Sequence, residues 1–249
     1  MKKTKTKIIS ERIAKKIARS GLCSRRKAEN LILDGKVMLN NKVVRQCNIN
    51  VNDKDLILIN GKPLPKKSLT RLWLFYKERG YVVTENDPQG RPTIFEKIKS
   101  KTNIRLISVG RLDINSEGLL LLTNDGEFAR KLELPSSGMS RIYRVRVYGI
   151  VKEQDLSLLK NGITIDKIRY GSISTKLEKQ KNSNAWITME LKEGKNREIR
   201  KIMSFFGYRV NKLIRISYGP FALKSMNPGD LVEIHQKILS QSLKFLKIS

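Results

Sequence analysis

Apolar positions along the 249-residue chain recur first at helical spacing and then at strand spacing, and the change divides the sequence. In "ERIAKKIARSG", Ile13, Ala14, Ile17 and Ala18 share one helical face and the pattern stops at Gly21. Ser24 is a suitable N-cap for a second helix, "RRKAENLIL", closed by Asp34-Gly35. "KVMLNNKVV" predicts a hairpin turning at Asn40-Asn41, and "DLILING" a further strand. "GKPLPKKSLTR" then loses periodicity around two prolines, as a linker does.

Beyond residue 70 strand patterns dominate. "LWLFYK" and "YVVT" read as strands joined by a turn at Lys77 to Gly80. The loop "ENDPQGRP", a short helix from Thr93 and the strand "IRLISV" follow. "LLLLTN" is a continuous apolar run suited to a strand covered on both faces, and Asp125 can cap the helix "GEFARKLEL". "RIYRVRVYG" alternates cations with apolar residues, as a half-exposed strand would. Helices are expected at "KEQDLSLLKNG" and "NREIRKIMSFFG", and strands at "SISTKLEK", "NAWITMEL", "VNKLIRISYG" and "GDLVEIH". Hairpins mixed with single helices predict an α+β fold with a mixed, largely antiparallel sheet. The expected organisation is a flexible basic arm at 1–9, a small α/β unit at 10–62, a linker at 63–70 and a larger domain at 71–249.

Charge adds a partner to this picture. Lys and Arg total 51 against 23 Asp and Glu, a formal net charge of +28 spread through every segment. A polyanion is the matching partner, because phosphate neutralisation releases counterions. Arg25, Arg26 and Lys27 occupy the first turn of the second helix, where the macrodipole opposes cations; RNA phosphate would compensate, although solvated side chains are the plain alternative. Cys23 and Cys47 have neither disulfide-framework nor zinc spacing, which fits a reducing, cytoplasmic compartment. No apolar run approaches a membrane span, and "MKKTKTKIIS" lacks the hydrophobic stretch of a secretory signal. The single histidine, His235, removes most His-based nucleophilic schemes, so the chemistry falls to carboxylate, Tyr, Lys or Arg.

The carboxylate that stands out is Asp113 in "VGRLDINSEGLLLLTNDG", on a loop anchored between two apolar strands. An Asx-turn would also place an Asp there. The wider stretch "GRLDINSEGLLLLTNDGEFARKL" resembles the catalytic motif of the bacterial ribosomal pseudouridine synthases of the RsuA/RluB/RluE/RluF family, with Ser116 where that family usually has Thr. "RIYRVRVYG" is similar to the segment holding the family's active-site tyrosine, here Tyr143. "EGKNREIRKIMSFFG" is similar to its basic motif, with Arg200 matching the active-site arginine, and "VNKLIRISYGPFAL" resembles the closing motif with Leu213 beside the target base. The N-terminal unit resembles the RNA-binding domain first described in ribosomal protein S-four.

The resemblance implies isomerisation of a uridine in ribosomal RNA or a ribosomal subunit precursor, large-subunit rRNA being favoured, with no cofactor and no metal; oligomeric state is not readable from the sequence, and a monomer is the default expectation. It implies that Asp113 is the essential carboxylate, that Arg200 holds it ionised and that Tyr143 stacks on the base. Arg111 and Arg197 are expected to contact RNA. Each has a plain counterpart: Tyr143 a sheet aromatic, Leu213 a core residue, and Arg197 and Arg200 successive cations on a solvated helix face. Two rival readings remain: a catalytically silent RNA binder, and a metal-dependent nuclease using Asp113, Glu117 and Asp125.

Overall fold

The computed structural model describes residues 10–245, so the expected basic arm at 1–9 lies outside the described residues. The chain divides between Thr70 and Arg71 into two compact units.

In the first unit, β1 (Glu11–Arg12) leads into α1 (Ile13–Arg19) and α2 (Arg25–Leu33), followed by β2 (Val37–Leu39), β3 (Lys42–Val44), β4 (Asn50–Val51), β5 (Ile57–Ile59) and β6 (Lys62–Pro63). The Ser24 hydroxyl accepts the Lys27 N–H and starts α2. Asn40-Asn41 and Asn60-Gly61 adopt positive φ at both positions, which turns β2 into β3 and β5 into β6 with the twist that hairpins require. These strands form one sheet in the order β3-β2-β5-β6, while β1 pairs antiparallel with β4, a ladder too short to leave a sequence pattern. Ile13, Ile17, Ala28, Ile32, Val37, Val51 and Ile57 make the core.

The second unit is built on β7 (Leu72–Lys77), α3 (Ile94–Ile98), β8 (Ile107–Val109), β9 (Glu117–Thr123), α4 (Gly126–Glu133), β10 (Arg141–Tyr148) and α5 (Glu153–Leu158). It continues with β11 (Ile163–Ile165), β12 (Ile168–Tyr170), β13 (Ser174–Lys181), β14 (Asn184–Leu191), α6 (Glu198–Phe205), β15 (Arg209–Tyr218), β16 (Phe221–Ala222), β17 (Leu231–Glu233) and α7 (Gln236–Phe245). The main sheet runs β13-β14-β10-β15-β9-β7-β17, with β8 on β9 and β16 on β15. Only the β15–β9 pairing is parallel, which makes the sheet mixed and largely antiparallel.

The apolar run of β9 serves both faces: Leu120 and Leu122 enter a core with Tyr143, Val145, Leu213 and α6, while Leu119 and Leu121 enter another with α4 and Leu239. Gly118 sits where β9 meets β15, with φ +102 and an added Cβ only 2.3 Å from the Arg215 carbonyl, so no larger residue fits the parallel crossing.

Three expectations are corrected. Tyr81–Thr84 is not a strand: β7 already has β9 and β17 as neighbours, so no edge is free, and only Val82 forms an isolated bridge, to Thr93. The strand expected across 104–109 is confined to β8. The helix expected from Asn196 begins at Glu198, because Arg197 is left-handed with φ 52. The sequence pattern also leaves out the β11–β12 hairpin, whose strands have three residues each, and α7, which is polar at six of its ten positions.

Candidate active site

Asp113 lies on the loop between β8 and β9, whose backbone is fastened from several sides. After Gly110, at φ +68, the Gly110 N–H donates to Glu133 Oε1 at 2.6 Å and Leu112 is buried in the core. The Ser116 N–H closes a turn on the Asp113 carbonyl at 2.9 Å, and the Gly80 N–H holds the Ile114 carbonyl at 2.8 Å. Beneath the loop sits Lys77, at the end of β7 and fully buried. Its ammonium donates to the carbonyls of Glu78 at 3.0 Å, Asp113 at 3.0 Å and Ser116 at 2.8 Å. Burial pulls its pKa down to about 8, although Asp113 and Glu117 hold it up, so it stays cationic at neutral pH. Sequence reasoning passed over Lys77; the signal was one cation ending an otherwise apolar strand.

This anchoring leaves the Asp113 side chain 36% exposed, in a cleft of about 1120 Å³ also lined by Arg111, Tyr143, Arg197, Leu213 and Arg215. Tyr143 on β10 stands in register with Arg215 on β15, and both are nearly fully buried. Leu213 is two residues before Arg215, on the same face of β15. Arg111, Asp113, Tyr143, Arg197 and Leu213 thus share one concavity, whereas Arg200, expected to hold Asp113, does not line it. Arg25, Arg26 and Lys27 belong to the first unit, all three exposed at the start of α2.

Arg197 and Arg200 divide their work differently from a pair on one helix face. Arg197 makes the ion pair with Asp113, at 3.7 Å, and projects from its left-handed turn ahead of α6. Arg200, half-buried within α6, donates to the carbonyls of Asn115 at 2.9 Å and Val210 at 3.2 Å, tying the Asp113 loop to β15 from behind. Burial lowers the Arg200 pKa, with Arg197 acting in the same sense and Asp113 opposing both.

The left-handed Arg197 costs about 1 kcal/mol relative to an ordinary backbone, and Glu198 offsets it. The Glu198 N–H donates to the Lys195 carbonyl while its Oε2 accepts the Lys195 N–H at 2.8 Å, closing the turn on itself. Glu198 is 4% exposed. Burial pushes its pKa up to about 7; the Lys195 N–H opposes the rise and neighbouring Glu193 adds to it.

Arg215, 2% exposed, donates from Nε to the Leu119 carbonyl at 2.7 Å, and its guanidinium lies over the Tyr218 ring at 5.1 Å. Arg141 covers the same ring at 4.7 Å and donates to the Tyr218 hydroxyl at 2.8 Å. The carboxylates of the nuclease reading are scattered by the strand between them. Glu117 pairs with Lys212 at 3.4 Å and Asp125 caps α4 by accepting from Glu127 and Phe128 N–H, so each is committed elsewhere. Among the described residues no group of three His, Cys, Asp or Glu is placed to hold a metal ion.

The family model described as RNA pseudouridylate synthase matches residues 71–205, the unit that carries this cleft. The chain belongs to the RNA pseudouridine synthase family. A model of the S4 domain matches residues 11–57 of the first unit. An uncharacterized RNA pseudouridine synthase of Rickettsia felis is 46% identical over 93% of this chain and 100% of its own. The ribosomal large subunit pseudouridine synthase B of Pasteurella multocida is 37% identical, over 90% of this chain and 67% of its own, and that of Salmonella typhi is 36% identical, over 91% and 80%. A crystal structure of a pseudouridylate synthase, 24% identical, covers 93% of this chain and 99% of its own with a TM-score of 0.63, a likeness of fold. Membership makes this pseudouridine synthase an RNA-modifying isomerase. No described helix is long and apolar enough to cross a membrane.

Proposed function

We propose that this pseudouridine synthase converts a specific uridine of large-subunit ribosomal RNA to pseudouridine in the cytoplasm, with Asp113 as the essential carboxylate. The observation that carries the reading is the Asp113 loop. Lys77 and Arg200 donate hydrogen bonds to its carbonyls, and the carboxylate faces the cleft, where among the described residues Arg197 alone forms an ion pair with it. The large-subunit assignment draws on the names of the Pasteurella and Salmonella relatives.

The reaction breaks the bond from ribose C1′ to uracil N1, turns the uracil and joins C1′ to C5; the C5 proton is lost and N1 gains one. Atoms and electrons balance within the nucleotide. The uridine leaves its stack at a cost of a few kcal/mol, offset by stacking on Tyr143 and by the apolar wall at Leu213. Asp113 supplies the negative charge that attacks or deprotonates, and Arg197 orients it. Arg200 acts through the loop backbone, and the Tyr143 hydroxyl assists the proton transfer at C5. Arg111 contacts RNA at the cleft mouth, while Arg25, Arg26 and Lys27 meet phosphates from the first unit as the enzyme works as a monomer.

The test is carbodiimide treatment and primer extension on rRNA incubated with wild type or Asp113→Asn in the presence of EDTA. A new stop in large-subunit rRNA with wild type alone supports the reading. Equal modification by the Asn variant overturns the role of Asp113, and a stop confined to small-subunit rRNA overturns the substrate.

A further inference from the structure

The two halves of the catalytic sheet are covered differently. Over β7 and β9, Leu72, Leu74, Leu119 and Leu121 pack against Phe128, Ala129 and Leu132 of α4 and Leu239 of α7, while the alternate residues fill the opposite core. Over β13, β14 and β10 only the face bearing Tyr143, Val145 and Ile187 is buried, while on β15 Leu213 enters the same core and Ile214, on the other face, packs against the α4 core. The other face alternates outward, with Arg144, Arg146 and Tyr148 of β10 and Lys176, Glu178 and Lys179 of β13 all exposed.

Register aligns this face into rows. Lys179 stands opposite Trp186, Trp186 opposite Arg146 and Arg146 opposite Lys212, and the next row runs Lys176, Thr188, Arg144, Ile214. At about 4.8 Å between strands, Lys179 and Arg146 are roughly 10 Å apart. Two carboxylates are committed: Glu178 to Arg144 at 2.8 Å, and Glu117 to Lys212 at 3.4 Å. Glu190 stands one row further along, opposite Ile142. Among the described residues no carboxylate forms an ion pair with Arg146 or Lys179, and Lys176 acts on Glu178 only at longer range than an ion pair.

The aromatic residues are built into the same rows. The Arg144 guanidinium lies 4.5 Å over the Trp186 ring and is held there by Glu178, which also accepts the Thr188 hydroxyl at 2.6 Å. Arg209 lies 5.2 Å over the ring of Tyr148, which is 49% exposed. The Arg144 side chain remains 47% exposed, so the outer face of its planar guanidinium is open to a base. Uncommitted cations interleaved with stacking platforms match a single-stranded nucleic acid, which offers phosphates and π-faces together. An acidic protein would satisfy the charge and leave the platforms unused.

We propose that the open face of the β13-β14-β10-β15 half-sheet is a second RNA-binding surface of the enzyme, opposite the cleft. Phosphates meet Arg146, Lys176 and Lys179, and an unstacked base lies on the Arg144–Trp186 pair. β13 is the edge strand, so RNA leaving the cleft turns around its lysines to reach this face. The inference rests on the reading of the cleft as the uridine-isomerising site of a long RNA.

The experiment uses the full chain with Arg146→Gln, Lys176→Gln and Lys179→Gln combined, all exposed positions whose loss leaves no charge unpaired. Binding to a large-subunit rRNA transcript is measured against salt; three lost phosphate contacts lower the log-log slope by about 2 to 3. On that transcript KM for pseudouridine formation rises and kcat holds, while a short stem-loop that fills only the cleft is modified as by wild type. Trp186 reports directly, since the only other tryptophan, Trp73, is buried: the transcript quenches wild-type emission, and the quench disappears in Trp186→Phe. An unchanged salt slope with unquenched Trp186 overturns the proposal, as does a partner found to be an acidic protein with RNA measurements equal to wild type. Absence of pseudouridine with the wild type would fall on the reading of the cleft instead, and the slope and quench would still decide the second surface.

Discussion

Both units are rich in cations, yet those at the start of α2 and those beneath the Asp113 loop are used in opposite ways. In the first unit Arg25, Arg26 and Lys27 stand exposed at the positive end of α2, where the helix gives them no partner. In the second, Lys77 and Arg215 are all but fully buried and Arg200 is half-buried; Lys77 and Arg200 donate to carbonyls of the Asp113 loop, and Arg215 to that of Leu119 in β9, the strand that follows it. Exposed cations recognise phosphate wherever it lies and set affinity. Buried ones fix a backbone and set the position of one carboxylate. Affinity and chemistry are therefore separable by mutation, and substitutions in each group test the separation.

The largest effect is expected at the carboxylate itself. Asp113→Asn keeps the shape of the side chain but removes its charge and with it the ion pair to Arg197, so pseudouridine formation falls to background. Thermal unfolding stays near wild type, because the loop is held through its backbone and not through this side chain. Affinity for rRNA holds or rises slightly with the loss of a phosphate-repelling charge. Activity retained by this variant would break the comparison outright.

Next comes Lys77→Met, which keeps the volume and takes the ammonium from the carbonyls of Glu78 and Ser116, while the Asp113 carbonyl keeps only the Ser116 N–H. An unsatisfied buried acceptor costs about 1–3 kcal/mol, partly offset here by removal of a buried charge, which leaves a loss of roughly 2–4 kcal/mol in a urea titration. A loop displaced by about 1 Å costs on the order of a hundredfold in rate. RNA affinity should hold, since Lys77 does not reach solvent. Loss of affinity in step with rate would show that this cation acts on substrate and not on the loop.

How much of this was legible follows from the same division. Local rules exposed the first unit almost completely: the Ser24 cap, the Asn40-Asn41 turn and the exposed basic turn of α2 are all written in adjacent residues. The apolar run of β9 correctly announced a strand covered on both faces. Tyr81–Thr84 had strand composition and no vacant sheet edge, which is a fact about β17, some 150 residues away. Arg197 and Arg200 looked like two turns of one helix; a left-handed residue separated them, and that conformation depends on the Glu198 turn. Lys77 shows in the sequence only as a cation ending an apolar strand, and its role stays hidden for the same reason, because its partners include carbonyls of a loop 36 and 39 residues on.

Arg25→Gln, Arg26→Gln and Lys27→Gln combined test the exposed half of the comparison. The salt slope of rRNA binding falls by about 2 to 3, KM rises and kcat at saturation is unchanged. Stability also rises slightly, by a few tenths of a kcal/mol per residue, as three cations leave an unfavourable helix terminus. A fall in kcat with KM unchanged would mean that the first unit takes part in the chemical step.

The smallest expected effect lies in the buried half, at Glu198. Its folded pKa of about 7 stands above the ordinary 4.5, so between these values the folded protein retains a proton that the unfolded chain has released. Stability from this group is therefore fully present below about pH 4.5 and is lost as pH rises through about 7. The lowered pKa of Glu193, held down by Gly171 N–H and Lys195 against its own burial, acts in the opposite sense. What remains is on the order of 1 kcal/mol. Urea midpoints measured between about pH 5 and pH 8 should decline in wild type and stay flatter in Glu198→Gln, which keeps the turn hydrogen bond and cannot ionise. The variant should also keep its activity to higher pH, because an ionised Glu198 beside Glu193 loosens the left-handed turn that presents Arg197 to Asp113. Parallel pH profiles for the two proteins would remove Glu198 from the group of buried residues that position the loop, and leave that work to Lys77 and Arg200.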